Sequence, residues 1–316
     1  MTILRSLASA AFGLMLVAGP AAADTARFGS GQQGSQNYGV NAALGQAVDE
    51  GTDLDVTVQA FGGATAFLPL LQSGELDFAA VVTPDVGDAV RGTGPFEGMK
   101  LGDIRLVAAL FPSPVGLMVR KDAGITKIAD LAGKRVAWGL TAQASLLPYV
   151  EGALANGGLG KDDVTLVPVA SVANGVDELV AGRVDATLFA LRGGKVVEAD
   201  SAVGIAWVPF DASPEAVARM QAVAPEAYLV AVAPADKVVG ASQPMETMAY
   251  DYVLVTGAGV SDASVGAVAT LLKEKGADIA AGSKVLGAIS PAALTRAYQQ
   301  IPHHPAAAAA LGIPAN

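Results

Sequence analysis

Short apolar runs alternate with amphipathic stretches along most of this chain, and the alternation reads as strand, helix, strand. Arg27–Phe28, Leu54–Ala60 and Phe78–Val82 are compact, rich in β-branched or aromatic residues and bounded by Gly, Asp or Ser, as buried strands are. Tyr38–Asp49 spaces its apolar residues for a helix, and a second helix is predicted to end at Gly74, since glycine accepts the left-handed conformation of a helix C-terminus. The same succession then returns. Strands are predicted at Arg135–Trp138, Val164–Val169 and Ala186–Ala190, with a helix over Leu146–Asn156 and another ending at Gly182.

The two successions superpose under an ungapped shift of 108 residues, the offset from Arg27 to Arg135. Gly31 meets Gly139, Asp55-Val56-Thr57 meets Asp163-Val164-Thr165, and Leu71, Gly74 and Asp77 meet Leu179, Gly182 and Asp185. Alternating strands and helices imply parallel pairing with right-handed crossovers, hence two α/β units. Pro112–Gly133 looks like the join, with a strand at Val115–Arg120 and a short helix beginning at Ile128. Tyr228–Ala233 is the expected return crossing and Ala249–Thr256 a further strand, with helices over Val265–Lys275 and Pro291–Gln300 packing on the first unit. The expected fold is therefore α/β and two-lobed. Each lobe is a mostly parallel sheet flanked by helices, lobe I taking residues 24–114 and 230–316 and lobe II residues 115–229, with two crossings at the hinge.

The N-terminus fits targeting rather than fold. Arg5 precedes an apolar stretch over Leu7–Ala18, and Pro20-Ala21-Ala22-Ala23 offers a small-residue cleavage site. Residues 1–23 read as a signal peptide cut after Ala23, and the product as exported and periplasmic. Loss of Arg5 with that leader takes the net charge from −10 to −11. So acidic a chain does not suit nucleic acid. With 52% apolar and 16% charged residues it does not suit disorder either. Zero cysteines exclude disulfides, thiolate nucleophiles and Cys-type zinc sites. The two histidines, His303 and His304, are adjacent on a segment where they should face opposite ways, so no metal site and no cofactor is expected.

In parallel sheets, ligands bind beyond the carboxyl ends of the strands, beside helix N-termini. The repeat puts Gly29–Tyr38, Gly62–Thr65 and Thr83–Asp85 there in lobe I, and Gly139–Ser145, Ser171–Asn174 and Leu191–Gly194 in lobe II. Free backbone N–H groups near Gly34 and Ala144 suit a carboxylate. Ser35, Tyr38, Thr141, Gln143 and Ser145 would hydrogen-bond it, Arg192 would add a planar positive clamp, and Gln32, Gln33, Gly63 and Thr83 complete the candidate site. Gly29-Ser-Gly-Gln-Gln-Gly34 also matches a dinucleotide-binding loop, but the following strand ends Val58-Gln59-Ala60 without the acid that grips a ribose. Asp77 and Asp185 sit at strand starts away from the cleft, where a structural role is expected; Trp138 and Trp207 read as core.

Several phrases resemble the TAXI-type solute receptors of tripartite ATP-independent periplasmic (TRAP) transporters. They are Phe28-Gly-Ser-Gly-Gln-Gln-Gly-Ser-Gln-Asn-Tyr38, Gly62-Gly63 ahead of Leu70-Leu-Gln-Ser-Gly-Glu-Leu-Asp-Phe-Ala79, Leu110-Phe-Pro-Ser-Pro-Val115, Gly124–Ala137 and Ile301-Pro-His-His-Pro-Ala306. The resemblance implies a type II periplasmic binding fold that delivers a small carboxylate, glutamate-like or dicarboxylic, to membrane permease subunits. The chain departs from that family at Ser35-Gln-Asn-Tyr38, at Ala190-Leu-Arg-Gly-Gly194 and at Val238-Val-Gly-Ala-Ser-Gln-Pro244, all flanking the expected cleft. The combined expectation is a monomeric solute-binding protein rather than an enzyme. A receptor subunit presenting its solute to a sensor is the alternative. An exported hydrolase would have to be a Ser–Lys or carboxylate enzyme.

Overall fold

In the computed structural model, residues 24–314 are described apart from 34, 235–236 and 284, so the signal-peptide reading of residues 1–23 lies outside the described residues. The first unit runs β1 (Asp24–Ser30), α1 (Gln36–Gly51), β2 (Leu54–Ala60), α2 (Ala64–Ser73), β3 (Phe78–Val82) and α3 (Thr83–Arg91). The long β4 (Ile104–Arg120) leads to the second unit: β5 (Arg135–Gly139), a 3-10 turn over Thr141–Leu146, α4 (Leu147–Asn156), β6 (Thr165–Val169), α5 (Val172–Val180), β7 (Ala186–Ala190) and α6 (Gly194–Val203). Then come β8 (Ile205–Val208), α7 (Pro214–Val223), β9 (Tyr228–Val232) and β10 (Met245–Gly257), and after them α8 (Asp262–Ala281), α9 (Pro291–Leu294) and α10 (Pro305–Leu311).

The strands join in the order β2-β1-β3-β10-β4-β7-β5-β6, with β9 on β10 and β8 on β4. Within each lobe the first strand pairs in parallel with the second and third, as the strand–helix alternation requires. The repeat holds to the residue. Arg27 lies opposite Thr57 and Arg135 opposite Thr165; Phe28 lies opposite Phe78 and Val136 opposite Ala186. The marker residues explain why. Arg27 donates its backbone N–H and Nε to Asp77 Oδ2 at 2.8 Å each, and its Nη2 to Oδ1 at 2.8 Å. Arg135 repeats these three bonds on Asp185 at 2.8, 3.1 and 2.7 Å. Each aspartate therefore fixes the start of a third strand against the first, and the carboxyl of Asp185 is held below its ordinary pKa chiefly by the Arg135 side chain.

Lobe I has a core on each sheet face. Phe28, Leu44, Val48, Leu254 and Leu272 lie under α1 and α8, and Phe67, Leu71, Val86, Val253 and Ile301 lie under α2 and α3. Lobe II gathers Leu117, Val136, Tyr149, Leu179, Trp207 and Met220 into one cluster. That cluster also holds Val232, Val238 and Met248, which corrects the expected return crossing at Tyr228–Ala233. β9 stays with lobe II, and the chain goes back along β10 instead, whose Met245–Ala249 pairs with β9 and whose Tyr252–Thr256 pairs with β3. The sequence reading misses this because β10 is one continuous strand across both lobes, with no break to mark where it passes between them.

The hinge is thus two long antiparallel strands, β4 against β10 from Ile104–Gly257 to Val115–Met248. Pro112 and Pro114 fall at the middle of β4, toward the lobe II end of this ladder, opposite Asp251 and Ala249. Proline has no N–H to give the ladder, so the pairing is thinned where the chain passes between lobes. The predicted helix over Pro291–Gln300 forms only as far as Leu294. Tyr298 then bridges back to Ile301, and the segment turns along the edge of β4.

Candidate functional site

The carboxyl ends of the parallel strands in the two lobes meet across this hinge. In lobe I, two side-chain amides on α1 fasten that helix to the strand ends. Asn37 Oδ1 accepts from the Gly31 N–H at 2.7 Å, and the buried Asn41 both donates to Ala80 O (2.8 Å) and accepts from its N–H (2.7 Å). Ser35 closes α1 as its N-cap, its hydroxyl accepting from the Tyr38 N–H at 3.1 Å. In lobe II the matching stretch is irregular. Leu140 takes a left-handed φ of 36°, Gln143 is non-helical at φ −136°, and only then does α4 begin. Gln143 Oε1 accepts from the Val172 N–H at 3.2 Å, at the start of α5.

The candidate residues divide accordingly. Gln32, Gln33 and Ser35 are exposed and Tyr38 half-buried at the α1 end; Gly34 lies outside the described residues. Gly63 is the N-cap of α2, at φ 156° with open space around it. Thr141 is exposed and donates to Ala170 O at 3.2 Å, Ala144 is half-buried in the 3-10 turn, and Arg192 is exposed on the turn after β7. Two candidates are committed elsewhere. Thr83 is wholly buried with its hydroxyl accepting from the Asp251 N–H at 3.2 Å, so it offers no surface to a solute. Ser145 is 5% exposed and donates to Asp85 Oδ1 at 2.5 Å, a hydrogen bond from lobe II to lobe I.

Asp85 ends the loop Thr83–Asp85 that the sequence places at the cleft, but it is not among the candidate ligand-binding residues. It stands in the first turn of α3, just past the end of β3. Burial pushes its carboxyl up to about 6, against a lowering by the Ser145 hydroxyl. Its charge in turn helps raise the phenols of Tyr250 and Tyr252 on the hinge, after their own burial. Tyr250 also meets Tyr149 of α4 edge-on, with ring centroids 5.3 Å apart. A carboxylate at a helix start gives the cleft an acceptor, not the purely donor lining expected from the Gly- and Ser-rich loops.

A second interlobe contact lies beside the hinge. Arg91 at the end of α3 pairs with Glu226 from the turn before β9 and with Asp88 at 3.2 Å. Next to it Asp251, 1% exposed, accepts from the Tyr228 hydroxyl (2.5 Å), from Arg296 Nη1 (2.6 Å) and from the Tyr298 hydroxyl. None of these long-range contacts is legible in the sequence, because apart from Arg91–Asp88 the partners are 23 to 135 positions apart and carry no local pattern. The remaining motifs are structural. Asp77 and Asp185 hold strands as described, Trp207 donates to Val239 O at 2.7 Å, and His304 caps α10. Among the described residues no group of three His, Asp or Glu could hold a metal ion, and no helix is long and apolar enough to cross a membrane.

Comparison with known proteins agrees with this architecture. The profile of the NMT1-like family matches residues 28–311. Among solved structures, the periplasmic sulfonate-binding protein SsuA of Methylobacillus flagellatus KT superposes at a TM-score of 0.51 with 17% identity, covering 82% of this chain and 70% of its own. A TctC solute-binding protein from Polaromonas superposes at 0.52 with 13% identity, covering 79% of this chain and 83% of its own. Both are named as binding proteins rather than enzymes, and at this identity they show the fold: two α/β lobes on a strand hinge.

Proposed function

The chain belongs to the NMT1-like family, and from that premise we propose that it is an exported solute receptor, closing its two lobes on a small organic acid that it delivers to the membrane subunits of a TRAP-type transporter. The observation that carries the reading is the pair of parallel-strand ends brought together across a two-strand hinge, joined by the Ser145–Asp85 hydrogen bond. Opposed strand ends are where α/β folds bind ligands, and a hinge lets the ligand hold them together. The acid would lie between the α1 end (Gln32, Gln33, Ser35, Tyr38) and the turn Thr141–Ser145, with Gly63 at one side and Arg192 clamping a carboxylate. The sulfonate-binding neighbour also takes an anion by name. The TAXI-like phrases at Phe28–Tyr38 and Ile301–Ala306 favour a TRAP partner over other permeases.

The test is a thermal-shift screen against amino, keto and dicarboxylic acids and sulfonates. A ligand at one hundred times its Kd adds about 2.7 kcal/mol to stability. An acid that raises the midpoint is expected to bind Arg192→Ala more weakly by about 1.5–3 kcal/mol, the worth of a charged hydrogen bond. A screen in which only neutral sugars act, or turnover of the bound acid, would overturn the proposal.

A further inference from the structure

The loops expected beside the cleft are Gly29–Tyr38, Gly62–Thr65 and Thr83–Asp85 in lobe I, and Gly139–Ser145, Ser171–Asn174 and Leu191–Gly194 in lobe II. Together they carry a single carboxylate, Asp85. The fold leaves its charge unanswered. Asp85 lies in the first turn of α3, yet the N-cap there is Val82, and the one hydrogen bond Asp85 accepts among the described residues comes from lobe II, from the Ser145 hydroxyl to Oδ1 at 2.5 Å. Its Oδ2 has no such partner. Nor is Oδ2 one of the enclosed polar atoms that lack one, so this oxygen keeps accessible surface on a half-buried residue. The other charge acting on Asp85 is that of Asp88, which is also negative, and no cation offsets it. Burial is the largest influence on the carboxyl and raises its pKa, so the fold holds the ionised form at a cost. A cation that also donates N–H bonds relieves a carboxylate in that condition.

Resting on the acid-binding reading above, we propose that the solute is an α-amino acid, and that Asp85 selects it by accepting its ammonium group on Oδ2 while Ser145 holds Oδ1. The ammonium supplies both the positive charge and the N–H donors that the carboxylate lacks. A dicarboxylate would set a second negative charge against Asp85, and a 2-oxo acid would offer it only acceptors. The Ser145 bond fixes the carboxylate by its other oxygen, so part of the ordering cost of binding is met within the chain.

The test is a thermal-shift screen of the full chain at neutral pH with the common L-amino acids, succinate, glutarate and 2-oxoglutarate. Each amino acid that binds is then titrated calorimetrically beside its own 2-oxo acid. At least one amino acid is expected to bind, about tenfold or more tighter than its 2-oxo acid, as a charged hydrogen bond requires. Asp85→Asn keeps the shape and an acceptor for Ser145 but removes the charge. It should weaken the amino acid by about tenfold or more and leave the 2-oxo acid unchanged, whereas loss of a merely structural carboxylate would weaken both alike. The matched pair on the unsubstituted chain decides the matter even if the variant does not fold. Binding of dicarboxylates or 2-oxo acids but of no amino acid, equal affinity within the matched pair, or parallel losses in Asp85→Asn would overturn this proposal and leave the acid-binding reading standing. Failure of every acid to bind would overturn both.

Discussion

At the foot of each lobe an arginine on the first strand grips an aspartate at the start of the third, Arg27 with Asp77 and Arg135 with Asp185, through the same three bonds. At the cleft end the corresponding positions part company. Ser35 caps a regular α1, whereas its counterpart Gln143 sits in a kinked 3-10 turn and turns its amide to α5; Gly63 leaves the start of α2 open, whereas Ser171 caps α5 with its hydroxyl. Strand register tolerates no drift, because a slip of one residue would send every core side chain to the wrong face. Loops beyond the strand ends are under no such restriction and are free to diverge into two unlike halves of a binding site.

The foot of each lobe holds strand register while the cleft end varies, and substitutions at the two ends should therefore differ in effect. Phe28 and Phe78 stack at 5.3 Å in lobe I where lobe II has Val136 and Ala186. Phe28→Ala is therefore expected to cost about 3–5 kcal/mol, and Val136→Ala about 2 kcal/mol, in urea unfolding. Equal costs would mean that the two cores do not differ as their residues do.

The cleft should respond to pH between about 4 and 7, whereas the foot, where Arg135 holds Asp185 below its ordinary value, responds only at lower pH. Asp85 holds its proton more tightly when buried against Ser145 than in water, with a value of about 6 in place of 3.8. Protonation therefore favours the folded protein, in which Asp85 is buried. That contribution is complete below about pH 4, fades as pH rises through about 6, and amounts to a few kcal/mol at most. Asp85→Asn should flatten the pH dependence of the melting midpoint between pH 4 and 7. If the slope survives the substitution, another group is responsible.

The two ion pairs at the foot should act alike. Asp77→Ala and Asp185→Ala each leave a strand N–H and a guanidinium without their acceptor, for an expected loss of about 1–2 kcal/mol. The lobe II pair should be the weaker, since its arginine and aspartate side chains are 44% and 27% exposed against 37% and 16%. A large loss in one lobe beside none in the other would mean that the repeat is no guide to energetics.

Much of the scaffold is legible in the sequence, for reasons visible at particular residues. Leu54–Ala60, Phe78–Val82 and Ala186–Ala190 coincide with β2, β3 and β7 because a short apolar run between turn residues has few alternatives to a buried strand. Gly74 and Gly182 stand at φ 76° and 71°, the left-handed ends the reading asked of them. The helix expected over Pro291–Gln300 stops at Leu294, because its remaining residues find partners on β4 and at Asp251 rather than along a helix. The site was harder to read for the same reason. Ser145 and Thr83 look like free hydroxyls in sequence, and only the fold reveals that Asp85 and Asp251 already engage them.

The lobes are expected to close on a solute about the β4–β10 hinge. The chain has no cysteine, so two can be introduced without competition. Glu50, at the exposed outer end of α1, and Asp162, in the exposed turn before β6, put a spin label on each lobe far from the cleft. The distance distribution between them should narrow and shift when the acid identified by thermal shift is added, toward a single closed separation. A distribution left unchanged by an acid that demonstrably binds would contradict the account.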